Sequence, residues 1–415
     1  MRRIYSLAGL LIGSIPGFLL PFLLTEQWQI DTAATFLLAM STTLLVSSIF
    51  AASLEVTLIS KIGSRQASGV ETTESSLRAA GARGILLFAI PSLLVYAVLG
   101  YTYSTLTPTI SFAELMISCW PLALVPVLNS FTAPLSAFLF ASGRLGLTYA
   151  TAFLRGAPAV VAVFFTTDLT ALSTAYLAGE AMRGLLLFAA CRFLCARHSS
   201  ENLALRISDI AHQVTSNALG QGMPLIAQAA FASSGAAAIA QGAIALRIYA
   251  SSTQVVVSAV AMPQVIRFPT LVRGKSEEEI RRSLGHDALH LVLWTCSLAA
   301  LASLAVLLLV GTASNLLGQY TLNGLVWSLP LLLGLLPYVL NYCAGRGLIV
   351  AGLSRLLPRC AIVGLILGGI TCAILLPLGG LAALWALLVS TVAGAFMTCY
   401  YLWVRGPGRL RGSGG

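Results

Sequence analysis

The chain has 415 residues, 58% of them hydrophobic and only 9% charged, with a mean hydropathy of +0.90. So little polar surface cannot clothe a soluble globule, which leaves a polytopic membrane protein. The formal net charge of +10 does not call for nucleic acid as a partner, because the basic residues gather in every second loop, the pattern that orients membrane proteins.

Apolar runs of roughly 20 residues between short polar breaks predict an all-α membrane fold, since only helices or closed barrels satisfy the backbone in lipid. The alternating strands of a barrel are absent. Twelve helices are expected, at about 4–24, 33–60, 84–106, 112–141, 147–167, 171–195, 211–232, 236–266, 287–310, 324–345, 360–377 and 381–404. The first run follows Met1-Arg2-Arg3, contains Gly9, Gly13, Pro16, Gly17 and Pro21, and has no small-residue cleavage site. It therefore reads as a spanning helix rather than a removable signal.

Lys61, Arg65, Arg78, Arg83, Arg144, Arg192, Arg206, Arg267, Arg281, Arg346 and Arg359 all fall on the side of Arg2, Arg3, Arg405 and Arg409. The loops near Glu26–Asp31, Thr107–Ser111, Thr166–Thr170, Ser233–Gly235, Gly311–Asn323 and Pro377–Gly380 contain no Lys or Arg. This split predicts that both termini are cytoplasmic and that the protein is multi-pass in the cell inner membrane. A parallel repeat is expected, with an N-terminal six-helix lobe at 1–205 and a C-terminal one at 206–415. In each half a long charged loop follows the second helix, Lys61–Arg83 and Arg267–Asp287, and the fourth helix holds a proline and an asparagine, Pro126 with Asn129 and Pro337 with Asn341.

Chemistry is expected where charge enters the apolar runs. Glu180 and Arg183 lie mid-run, and each charge at a helix centre costs about 2.5–3.5 kcal/mol, so both must face protein or water. Arg155, Arg183 and Arg247 each lie about 16 Å from a helix end, near the midplane. Each has polar company on its own face: Thr148 and Thr151 for Arg155, Tyr176 and Glu180 for Arg183, and Ser251, Gln254 and Ser258 for Arg247. Asn217, Gln221 and Gln228 form a further stripe at helical spacing. These residues are expected to line a central cavity. Two blander readings stand beside this one: Glu180 and Arg183, at i and i+3, as a self-neutralised pair that pins helices, and Arg155 as a residue reaching the cytoplasmic interface.

The remaining polar groups read as structural. Glu55, about two turns from Lys61, reads as reaching the inner surface; His212, His286, His290, Asp209 and Asp287 read as charges at helix starts. The eight cysteines are scattered, and Cys191, Cys195 and His198 fit no metal-binding spacing, so neither a disulfide framework nor a metal site is expected. No nucleophile motif or Walker loop is present, so no cofactor, catalysis or ATP-driven step is expected.

Two six-helix bundles, a Gly/Pro-broken first helix (Gly13, Pro16, Gly17, Pro21) echoed at the seventh (Gly220, Gly222, Pro224), and the two long loops make the chain resemble the multidrug/oligosaccharidyl-lipid/polysaccharide (MOP) exporter superfamily. The central arginines and the turn Leu139-Phe-Ala-Ser-Gly-Arg144 look most like its Wzx-type polysaccharide-unit flippases. Lipid II flippases of the superfamily usually have two further C-terminal helices, which this pattern lacks.

The resemblance implies a flippase for a polyprenyl-diphosphate-linked oligosaccharide, an O-antigen or exopolysaccharide unit. Its two bundles would rock to give alternating access, with a proton or sodium counter-ion and contact with the glycan polymerase machinery as further expectations. The residues agree: guanidinium groups in a dry-walled cavity favour phosphate, and Asn, Gln, Ser and Thr suit the glycan. An ion-coupled exporter of drugs or metabolites is the alternative. A membrane glycan polymerase or ligase fits less well, because the outside loops are short and hold no Lys, Arg or His.

Overall fold

A computed structural model of the chain describes residues 2–67, 71–107, 109–195, 207–261, 276–351 and 353–412. Among these residues the structure is helical, with no β-strand. The helices are α1 (Arg2–Gln27), α2 (Ile30–Ile49), α3 (Ala51–Ala67), α4 (Glu74–Leu106), α5 (Phe112–Ser118), α6 (Trp120–Ala141), α7 (Leu145–Val163) and α8 (Leu169–Leu194). They continue as α9 (Ile207–Gly220), α10 (Gly222–Ser233), α11 (Ala236–Val256), α12 (Glu277–Ala313), α13 (Gln319–Leu333), α14 (Leu335–Val350), α15 (Leu357–Ile374) and α16 (Gly380–Gly412). Among the described residues, eight helices are long and apolar enough to cross a membrane, or nine if α13 and α14, bent by 44° at Gly334, count as one span. The 26-residue α8 is long enough but has Glu180 and Arg183 in its middle.

Several boundaries differ from expectation for identifiable reasons. The runs expected at 33–60, 112–141, 211–232 and 324–345 are each interrupted, at Phe50, Cys119, Gln221 and Gly334. Helix α12 begins at Glu277, ten residues before the expected start, because Ser276 and Glu279 form a capping box in which the Ser276 hydroxyl accepts from the Glu279 N–H and the Glu279 carboxylate accepts from the Ser276 N–H. Glu277 with Arg281 and Glu278 with Arg282 then extend it as i,i+4 pairs. Asp287, His286 and His290 therefore lie well inside a helix, not at its start. Helix α4 likewise starts early, at Glu74, capped by Thr73 and supported by the Glu74–Arg78 pair. Helix α11 passes into a single π turn at Val257–Ala261; the rest of its expected length, the Ser258 side chain, the Asp209 side chain and His198 lie outside the described residues.

The chain divides into two compact units, Met1–Gln221 with Ala232–Ala240, and Gly222–Phe231 with Gln241–Gly415. In the first, α6 is the hub: it touches α2, α3, α4 and α8, and most of its residues are buried. Small residues let helices approach closely, as membrane packing requires where no hydrophobic drive exists between helices. A Cβ at Gly13 of α1 would overlap the Tyr149 carbonyl oxygen of α7, and one at Gly156 would lie 3.0 Å from Pro16. Gly13→Val is therefore expected to separate α1 from α7 and cost about 1–3 kcal/mol, read as a lower unfolding midpoint of the detergent-purified protein. In the second unit, Gly364 and Gly368 of α15 set against Ser390 and Ala386 of α16 play the same part. Thr398 donates to Asn341 Oδ1 at 2.8 Å and fixes α16 to α14.

Candidate functional site

Helix α8 is started by Asp168, whose carboxylate accepts from the Thr170 and Ala171 N–H groups at 3.1 and 3.2 Å. Its buried residues Tyr176, Gly179, Glu180, Arg183, Gly184, Leu187 and Cys191 follow the i, i+3, i+4 spacing of one helix face, so both charges point into the first unit. The Glu180 carboxylate is 1% exposed and is held from two sides. Arg155 of α7 pairs its Nε with Oε1, and Arg183 places Nη1 3.2 Å from Oε2.

Around this triad lies a shell of neutral donors and acceptors. Arg183 donates to Asn129 Oδ1 at 3.5 Å and to Ser136 Oγ at 3.4 Å, both on α6. Asn129 Nδ2 in turn donates to Ser47 Oγ of α2 at 3.3 Å. Glu55 of α3 is within electrostatic range of both arginines. Its expected placement at the inner surface gives way to a place beside the triad, because the face of α3 on which it lies, and not its distance along the chain from Lys61, decides what it meets. Glu180 is thus not neutralised within its own helix alone, and Arg155 turns toward Glu180. The Arg155 side chain keeps 30% exposure against 11% for Arg183, so Arg155 offers the accessible edge of the network.

The other expected site residues occupy separate places. Asn217 of α9 donates from Nδ2 to the Ser48 carbonyl at 3.3 Å and to Ser53 Oγ at 2.9 Å, and its Oδ1 accepts from Gln213 at 3.1 Å. It thereby satisfies polar groups at the α2–α3 break. Gln221 forms the junction between α9 and α10 and is half-buried. Arg247 and Ser251 are half-buried and Gln254 is exposed on the part of α11 that belongs to the second unit, where Gln228 of α10 is buried. Cys191 donates its thiol to the Leu135 carbonyl at 3.6 Å. Glu55, Asn129 and Ser136 were absent from the expected site. Only Asn129 carried a signal, as the asparagine repeated in the fourth helix of each half.

No family model and no curated protein matches the chain. Solved structures do resemble it. The lipid II flippase MurJ in an inward closed conformation superposes with a TM-score of 0.71 at 13% identity, covering 96% of this chain and 87% of that one. An inward-facing multidrug resistance MATE family transporter of the MOP superfamily also gives 0.71 at 13% identity, with 100% and 96% covered. A MOP superfamily transporter from Pyrococcus furiosus, described as having a binding pocket of reverse polarity, gives 0.64 at 12% identity, with 98% and 94% covered. Shared over nearly the whole length at such low identity, this likeness is one of fold: the chain is folded like the transporters of the MOP superfamily.

Proposed function

We propose that the protein is a non-enzymatic flippase that carries a polyprenyl-diphosphate-linked oligosaccharide from the cytoplasmic to the outer leaflet of the cell inner membrane. In this reading the helices make twelve spans in two six-helix lobes, 1–205 and 206–415, with both termini cytoplasmic. Alternating access between the lobes moves the cargo. The observation that carries the reading is the buried Arg155–Glu180–Arg183 network, two guanidinium groups on one fully buried carboxylate, within a fold shared with a lipid II flippase. An arriving diphosphate would take over guanidinium N–H groups now donated to Glu180, with Arg155 as the first contact and Arg247 as a further cation. Asn217, Gln221, Gln228, Ser251 and Gln254 would serve the glycan, the lipid tail would stay in the bilayer, and the glycan polymerase would receive the product.

A second reading is an ion-coupled exporter of drugs or metabolites. The specific observation in its favour is that Glu55 lies within electrostatic range of the same two arginines that hold Glu180, since two carboxylates against two arginines leave this cluster neutral if both are ionised. A proton or sodium ion exchanging at such a cluster would couple transport.

Complementation of a strain lacking its polysaccharide-unit flippase, with expression matched, separates the two. The flippase reading expects wild type to restore surface glycan, and Arg155→Ala and Arg247→Ala each to reduce it about tenfold or more, the scale of one lost charge-assisted hydrogen bond. Failure of wild type in several glycan backgrounds, together with lowered accumulation of a small exported compound, would establish the exporter instead.

A further inference from the structure

A second polar feature lies in the second unit, well along the chain from the arginine network. A cavity of about 150 Å³ opens between α12, α14 and α16. Its walls are apolar, with Leu291, Ala344 and Leu402 buried against it, but two unlike charges also line it: the Asp287 carboxylate and the Arg346 guanidinium. Neither charge forms an ion pair within the described residues; Asp287 has no hydrogen bond there, and Arg346 stacks on the Tyr342 ring at 5.4 Å. Opposite charges that share a cavity without pairing with each other present both signs to whatever enters it.

The depth of this cavity identifies the partner's chemistry. On α12 the charged stretch Glu277–Asp287 gives way at Ala288 to a mostly apolar run with no Asp, Glu, Lys or Arg. On α14, Arg346 is one turn from the end of the helix. On α16, Trp403 lines the same cavity and is followed by Arg405. Two helices, α12 and α16, thus change from apolar to charged beside this cavity, and α14 carries its one charge there, with a tryptophan at the transition, which is how the headgroup layer of a membrane is marked. We infer that this cavity is a binding site for a zwitterionic phospholipid bearing a primary ammonium group, with the ammonium on Asp287, the phosphate on Arg346 and one acyl chain entering between α12 and α14. A purely anionic lipid would leave Asp287 repelling its headgroup, and a purely cationic amphiphile would do the same to Arg346.

Trp403 supplies the readout. The protein is reconstituted in phosphatidylcholine bilayers holding graded amounts of phosphatidylethanolamine brominated on its acyl chains, and tryptophan fluorescence is followed. The Trp403 contribution is the difference between wild type and Trp403→Phe. Trp294, 62% exposed on α12, gives the bulk-lipid reference through Trp294→Phe in the same way. The expected result is half-quenching of Trp403 at about a tenfold lower mole fraction than Trp294. Asp287→Asn, Arg346→Gln and the cavity-filling Ala344→Leu should each return Trp403 to the Trp294 curve, with circular dichroism unchanged. Brominated phosphatidylglycerol with the same chains should quench both tryptophans alike. Equal quenching of Trp403 and Trp294 by phosphatidylethanolamine, or a phosphatidylglycerol preference, would overturn the assignment. So would displacement of the brominated lipid by a hydrophobic organic cation in the Arg346→Gln variant, which would show a cation site built on Asp287 alone.

Discussion

Glu180→Gln is expected to be the most damaging single substitution in the first unit, lowering stability by about 3–5 kcal/mol, the usual consequence of removing one member of a buried ion pair. The cause is what remains behind. Arg155 and Arg183 would face each other with no carboxylate between them, and glutamine has one acceptor oxygen to offer two guanidinium groups. Arg155→Met should cost less, since Glu180 keeps Arg183 and the Arg155 side chain is partly exposed already. Replacing all three, Arg155→Met, Glu180→Met and Arg183→Met together, should recover most or all of the lost stability, because buried triads are often replaced by apolar residues without cost. The unfolding midpoints of the detergent-purified variants measure this series. A triple variant that folds but no longer transports would separate the network's function from any structural part it plays. A triple variant less stable than Glu180→Gln would show that the network holds the helices together.

The second large effect is expected at the glycine beside Glu180. A Cβ at Gly179 would overlap the Leu154 carbonyl oxygen and come within 2.7 Å of the Arg155 one, and neither backbone atom has a flexible side chain to yield. Gly179→Leu must therefore push α8 away from α7, the element that brings Arg155 to Glu180. Overpacking of this kind costs about 1–3 kcal/mol, and loss of the Arg155–Glu180 contact adds to it. Gly311→Ala of α12 is the control: nothing lies within 4 Å of its Cβ, so the helix should gain about 0.5–1 kcal/mol. Stability measured on both variants checks the contrast. Equal effects would show that the close approach of α7 and α8 is not what matters.

What could be read in the sequence was whatever a single helix encodes. Glu180 and Arg183 in an apolar run announce themselves locally, since lipid cannot accept either charge, and one turn of helix puts them side by side. The pairing of Arg155 with Glu180 joins residues twenty-five positions apart on two helices, and only packing decides it. Glu55 shows the same limit: chain distance from Lys61 measures depth but not direction, and direction placed it near the arginines. The early start of α12 is legible in its residues. Ser276 with Glu279, followed by Glu277–Arg281 and Glu278–Arg282, is a helix-start pattern that the density of charge made look like loop. The breaks at Phe50 and Gly334 were less legible. Phe50 carries no Gly/Pro signal, and the glycine at 334 is one of many in the chain. There the turn of the backbone is set by what the helices pack against.

Transport of the anionic, lipid-linked cargo is tested most directly in proteoliposomes. A fluorescent polyprenyl-diphosphate oligosaccharide is placed in the bilayer, and its arrival at the outer surface is scored by an external glycosidase. The account predicts that wild-type protein speeds cleavage of the initially protected fraction, that a short-chain polyprenyl diphosphate competes, and that Arg155→Ala abolishes most of the acceleration with folding intact. No acceleration by correctly folded wild type, together with ion-driven uptake of a small cationic or neutral compound into the same vesicles, would contradict it.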